Sequence, residues 1–189
     1  FWINGTMPTR DEWKTLAANG FEVYRLRVYG LVENPVELSL DDLRTMSEKT
    51  QITLHHCIQG WSGIAEWGGL PLAALIELVR PRPEAKAVVF YSFGDGVDLG
   101  TGVVGGQYYD SLSLEDASNP QTLLAYEMNS QPLTHQHGAP LRLRVENQLG
   151  FKMVKWIQSI EFVESTKSIN QGEGGYAEDH EYFGELANI

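Results

Sequence analysis

The sequence predicts an α+β domain, and three observations carry that expectation. Segments with the two-residue alternation of half-buried strands interleave with short helical segments, yet they follow no regular βαβ rhythm. No internal repeat is present. The chain has 189 residues, 42% of them apolar and 11% aromatic, enough to bury about two-thirds of its unfolded surface around one core. Residues 1–165 are expected to form that single domain. After Glu164 the chain turns polar and glycine-rich, so 166–189, with its acidic and aromatic run from Tyr176 to Phe183, is expected to be an extension packed on the domain or trailing from it.

Each element has its own local signal. Thr9 and Glu12 have capping-box spacing after Pro8, which predicts a short helix over 9–18. Leu26 and Val28 alternate with Arg25 and Arg27, giving a half-buried strand over 24–29 that ends at Gly30. Ser39 and Asp42 suggest a second cap, with a helical turn through Met46. Residues 51–56 are strand-like and deliver Cys57 into a loop over 58–69. Pro71 suits a first helical position, and 72–79 reads as a buried helix stopped by Pro81 and Pro83. A nearly unbroken apolar run over 87–93 predicts a core strand, whereas 94–106 is so rich in glycine that a shaped loop is expected. Further strands are expected over 141–145 and 157–163.

Charge and cysteine content exclude several classes. With 14 Lys+Arg against 25 Asp+Glu the net charge is −11, which disfavours nucleic-acid and anionic-membrane binding. No apolar run approaches the roughly 18 to 20 residues of a transmembrane segment. One cysteine rules out a disulfide framework, a four-cysteine zinc site and an all-cysteine iron–sulfur cluster. Phe1 in place of a start methionine predicts a processed or trimmed chain.

Several motifs were weighed for chemistry. Residues 100–105 match G-x-G-x-x-G, but the preceding strand ends near Phe93 and 107–111 does not begin a helix, so a loop is the better reading than a dinucleotide site. Gly60-Trp61-Ser62-Gly63-Ile64 lacks the final glycine of a nucleophile elbow, which argues against a nucleophilic Ser62. His55, His56 and Cys57, with His135 and His137, offer imidazole and thiolate ligands suited to zinc or copper; histidines capping strand ends are the alternative. Cys57 is either a small buried hydrophobe or a thiolate presented at a strand end for metal ligation or nucleophilic attack. Arg142 and Arg144 share one strand face because Leu141, Leu143 and Val145 take the other, and Lys152 and Lys155 follow. This basic window, in an acidic chain, is either a site for a phosphate or other compact anion or a solvated strip.

Four of these segments, Gly30-Leu-Val-Glu-Asn-Pro35, Leu-Leu-Ala-Tyr-Glu-Met-Asn from Leu123, His137-Gly-Ala-Pro-Leu-Arg142 and Gly150-Phe-Lys-Met-Val-Lys155-Trp, occur in the order seen in the sulfite oxidase family. With Cys57 at the position of the family's metal-ligating cysteine, residues 1–165 closely resemble its molybdopterin-binding domain. The sequence Cys57-Ile-Gln-Gly-Trp61-Ser62 carries no arginine and is more similar to the bacterial periplasmic methionine-sulfoxide reductase branch than to eukaryotic sulfite oxidases.

The resemblance implies a fold of mixed β-sheets with short helices, and a molybdenum–molybdopterin cofactor whose metal is held by the pterin dithiolene and Cys57. It implies oxygen-atom transfer to or from a small molecule (sulfoxide or N-oxide reduction, or sulfite-type oxidation), with electrons exchanged through a separate haem or flavin partner protein. Asn4 and Met7 on the N-terminal arm, Ser92 and His137 are expected to contact the pterin. Arg142 is expected to pair with the terminal phosphate, and the Met153-Val154-Lys155 turn to close over it. Tyr108 and Tyr109 are candidate hydroxyl donors to the transferred oxygen. Trp61 and Trp67 are expected either to wall a pocket for a neutral substrate or to belong to the core. A cofactor-free interaction module and a zinc or copper enzyme built on the His/Cys cluster stand as alternatives. Family resemblance further suggests an extracytoplasmic location reached by twin-arginine export, with a cytoplasmic one as the alternative.

Overall fold

In the computed structural model, which describes residues 1–97, 104–180 and 187–189, the alternating segments become ten strands. They are β1 (Leu26–Gly30), β2 (Val36–Leu38), β3 (Lys49–His56), β4 (Ser62–Pro71), β5 (Ala87–Val97), β6 (Val104–Ser113), β7 (Leu123–Met128), β8 (Gln131–Pro132), β9 (Arg142–Arg144) and β10 (Ile157–Val163). One sheet has the order β2-β1-β10-β5-β6, and the other runs β3-β4-β7-β8 with β9 paired to β7. The central β1–β10 pair is parallel and joins strands from opposite ends of the domain, Val28 lying against Ile160. Five short helices, α1 (Asp11–Ala18), α2 (Leu40–Thr45), α3 (Leu72–Val79), α4 (Leu114–Ala117) and α5 (Tyr176–Asp179), cover the sheets. This mixed α+β arrangement agrees with the expected fold class.

Period-two patterning decides which side chains are buried. Leu26 and Val28 of β1, Val88 and Phe90 of β5, and Ile160 and Phe162 of β10 are all fully or almost fully buried and pack with Leu72, Leu75 and Val79 of α3. Arg25 and Arg27 point outward, as expected. Ser39 and Asp42 form the reciprocal cap of α2.

Three local expectations are corrected. The Thr9 capping box does not form: α1 begins at Asp11 behind Arg10, and the Thr9 hydroxyl donates instead to Asp95, 3.0 Å away, because Asp95 also binds Arg10 and ties the arm to β5. The loop expected over 58–69 shrinks to a tight turn over 57–61, closed by bonds from Cys57 N to Trp61 O and from Gly60 N to Cys57 O, both 3.0 Å. Residues beyond it join β4, whose ladder with β3 overrides their glycine content. Of the glycines in the loop expected over 94–106, Gly94 and Gly96 sit in β5 and Gly105 and Gly106 in β6, while 98–103 lie outside the described residues. The G-x-G-x-x-G pattern falls largely outside the described residues, as does the end of the acidic aromatic run, including Phe183.

The described part of 166–189 packs against the domain. Ser111 Oγ donates to Gly174 O, Gln148 and Asn188 form a bridge, and Ala187 is buried. No helix among the described residues is long and apolar enough to cross a membrane.

Candidate functional site

The turn over 57–61 places Cys57 on a cavity of about 290 Å³. The strand before it fixes this position. His55, on the inward face of β3, is buried and its Nδ1 lies 3.1 Å from Arg144 Nη1. Burial and the Arg144 and Arg142 cations pull His55 down to about 3, so its ring is neutral and accepts the guanidinium proton. His56 turns the other way, its Nδ1 3.0 Å from the Ser62 hydroxyl. The Cys57 sulfur is reached by Asn4 Nδ2 at 3.8 Å, so the N-terminal arm forms the cavity wall opposite the turn.

A cationic pole faces the same cavity. Arg142 Nη1 donates to His137 O at 3.0 Å, its guanidinium lies over Trp67, and its Nε is buried with no partner. Lys155 Nζ donates to the carbonyls of Asn4 and of Gln136, the latter at 2.9 Å. Burial and then Arg144 hold Arg142 down at about 9, while burial and then Arg142 hold Lys155 down at about 7. His137 Nδ1 is 2.7 Å from the Thr134 hydroxyl, and its Nε2 is buried without a partner. Ser92 Oγ donates to Lys155 O at 2.7 Å and accepts from Gly94 N at 2.9 Å, fixing the backbone behind the pole.

The basic window therefore divides. Arg144 is neutralised by Glu146 at 2.6 Å, and Lys152 is held by Asp110 and Glu178. Only Arg142 and Lys155 of the four present charge to the cavity without a carboxylate partner. Desolvated cations, an orphaned guanidinium nitrogen and an orphaned imidazole nitrogen are the environment that a bound anion with hydrogen-bonding edges would complete. Together with the thiol they fit a phosphate-ended molybdopterin: Cys57 would ligate the metal, Asn4, Ser92 and His137 border the pterin, and Arg142 and Lys155 hold the phosphate.

Of the eleven residues expected at the cofactor or the transferred oxygen, Asn4, Cys57, Ser92, Tyr108, His137, Arg142, Met153 and Lys155 line the cavity, and three do not. Met7 is exposed on the arm, outside the lining. The Val154 side chain is buried in the core, and its carbonyl accepts from Leu143 N at 2.8 Å, so it supports Arg142 from behind. Tyr109 faces the opposite side of β6 from Tyr108, as period two requires, and its hydroxyl donates to Asp179 at 2.5 Å in a second, smaller core. Trp61 lines the cavity, while Trp67 is wholly buried beneath the two arginines.

The zinc or copper cluster is not assembled. His135 is packed between Trp13 and Phe21 and lies off the cavity, and among the described residues no three of His, Cys, Asp and Glu converge on a metal position. Sequence reasoning missed Phe151, Tyr176 and Ala177, which also line the cavity. Phe151 stood inside a quoted motif, but nothing local marked the other two.

Comparisons with known proteins show the family and the fold. Residues 14–170 match the family described as oxidoreductase molybdopterin binding domain. The chain is 35% identical over 172 residues to the putative protein-methionine-sulfoxide reductase subunit YedZ1 of Azospira oryzae, covering 91% of this chain and 58% of that protein. It is 37% identical over 169 residues to the protein-methionine-sulfoxide reductase catalytic subunit MsrP of Xanthomonas campestris pv. campestris, covering 87% of this chain and 52% of that protein. The sulfane dehydrogenase SoxCD of Paracoccus pantotrophus superposes with a TM-score of 0.64 at 25% identity, over 76% of this chain and 39% of that one. The chain thus spans between half and three-fifths of the length of these two curated relatives.

Proposed function

The chain belongs to the oxidoreductase molybdopterin-binding domain family, and from that premise we propose that it is a molybdenum-cofactor-dependent oxidoreductase whose oxidised substrate is a neutral sulfoxide or N-oxide. When bound, the cofactor supplies a two-electron metal centre that accepts or releases one oxygen atom. The observation that carries the reading is the placement of the Cys57 sulfur in a cavity whose charged pole is Arg142 and Lys155 and whose wall also carries the rings of Trp61, Tyr108, Phe151 and Tyr176.

The chain's own residues have separable tasks. Arg142 and Lys155 anchor an anionic group, the first with a planar fork held flat on Trp67, the second with an amine positioned by two carbonyls. Asn4 closes the arm over the Cys57 sulfur and orients it. Trp61, Phe151 and Tyr108 exclude water and offer ring faces to an apolar substrate. Tyr108 holds its proton, because burial first and the Asp110 and Glu178 charges next raise it well above the ordinary range. Its hydroxyl donates to Phe151 O at 2.8 Å and is positioned to donate to a substrate oxygen in its place. Among the described residues, Arg142 is the only arginine lining the cavity, and the turn over 57–61 carries no cation. This favours a neutral substrate over a compact dianion such as sulfite. Methionine-sulfoxide reduction, named for the relatives, is one instance of this class.

A separate haem or flavin protein is proposed as the one-electron partner, and an extracytoplasmic location, reached by twin-arginine export, is proposed from the family. The deciding experiment compares sulfoxide or N-oxide reduction, driven by an artificial one-electron donor, with sulfite oxidation by the same metal-loaded preparation. Reduction should exceed oxidation. Efficient sulfite oxidation with no reduction of either substrate class would overturn the reading.

A further inference from the structure

Behind one wall of the cavity lies a buried charge cluster. Lys152 Nζ donates to Asp110 Oδ1 at 2.6 Å and to Glu178 Oε1 at 2.7 Å, with the three side chains 7%, 0% and 2% exposed. Neighbours of all three line the cavity: Tyr108 on the same face of β6 as Asp110, Phe151 and Met153 on either side of Lys152, and Tyr176 and Ala177 before Glu178. Among the described residues one cation faces two carboxylates, and Asp110 Oδ2 and Glu178 Oε2 have no hydrogen-bond partner. Lys152 would be a third cation beside Arg142 and Lys155, but its donors are directed to these acids.

The second acid comes from beyond the family domain, whose match ends at residue 170. The segment carrying it is seated closely. Gly175 bridges to Asp110, and a Cβ there would collide with the Glu178 carboxylate. Tyr176 lies across Gly96 of β5, where a Cβ would strike its ring, and it packs 5.6 Å from the Tyr108 ring at an interplanar angle of 35°. Tyr109 and Asp179 fasten the far side at 2.5 Å.

We propose that the segment over 174–179 is a specificity element: Glu178 withdraws Lys152 from the cavity, and Tyr176, packed at a tilt against Tyr108, forms the wall that the substrate meets. A neutral molecule with an apolar portion gains ring contact there, while a sulfate-like dianion meets a wall whose buried charge is not positive. The choice of substrate rests on the oxygen-transfer reading above; the withdrawal of Lys152 by Asp110 and Glu178 is this chain's own geometry.

The test uses the full chain, loaded with cofactor in a host that makes molybdopterin and compared at equal molybdenum content. Tyr176→Ala should raise KM for methyl p-tolyl sulfoxide roughly tenfold, more than it lowers kcat, while Tyr176→Phe stays near wild type. In a calorimetric titration that needs no turnover, Glu178→Gln should bind sulfate roughly tenfold more tightly than wild type. If Glu178→Gln fails to fold, Asp110→Asn should move sulfate affinity in the same direction. An unchanged KM in Tyr176→Ala, or no gain in sulfate affinity, overturns the proposal. A wild-type protein that reduces no sulfoxide or N-oxide sinks the functional reading, and the sulfate comparison then decides the specificity element alone.

Discussion

The Arg142 guanidinium lies 4.7 Å from the centre of the Trp67 ring, so this cavity-lining cation rests on a fully buried indole. Arg144 occupies the same ring at 4.4 Å. Trp67 therefore works both as core and as the platform that aims the site. Trp67→Ala is expected to cost about 3 to 5 kcal/mol of stability in urea melts. Trp67→Phe, which keeps a smaller ring, should cost less and retain more molybdenum after dialysis than the alanine variant.

Cys57→Ser should fold normally by circular dichroism, since the residue makes turn contacts through its backbone. It should lose thiolate-to-metal absorption and turnover, because an alkoxide is a harder, poorer ligand for this metal. Wild-type turnover in the serine variant would remove Cys57 from the metal's ligand set.

Cofactor retention should depend on pH through Lys155. Burial, then Arg142, depresses its amine from 10.5 to about 7, and a bound phosphate raises it again. Binding therefore takes up a proton between those values, and retention falls as pH rises through that window, by at most about tenfold per pH unit. Lys155→Arg stays charged and should flatten the difference in molybdenum content between dialysis at pH 6.5 and 8.5. Arg142→Ala should lower retention at both.

Asp110 shifts in the opposite sense for stability. Burial, partly offset by Lys152, raises it from 3.8 to about 7. A carboxyl raised in the folded state contributes stability that is complete below pH of about 4 and is lost as pH climbs toward 7, no more steeply than about 1.4 kcal/mol per unit. Asp110→Asn leaves a one-to-one Lys152–Glu178 pair and should remove this slope from urea melts taken between pH 5 and 8. A slope that persists unchanged would place the titration elsewhere.

Local pattern carried much of the site. Cys57, Arg142 and Lys155 lay in short motifs, and the alternation over 24–29 and 157–163 marked the central strands. Tyr109 could have been set aside by the same alternation, because adjacent strand residues face opposite sides. The separation of the basic window was not legible. Lys152 is neutralised by acids 42 and 26 residues away in sequence, a pairing that only the tertiary fold creates. Glycine content misled at 94–97 and 104–106, where strand pairing and the ring seated on Gly96 outweigh intrinsic propensity.

The cavity draws its wall from Asn4 at one end of the chain and Ala177 at the other, with Cys57, Ser92 and Arg142 between. A ribosome adding residues in order cannot finish this enclosure until residues 176–178 have emerged. Asn4 waits for Lys155, and Lys152 waits for Glu178. A cofactor that needs all of these contacts is a ligand of the folded domain, not of any one of its segments.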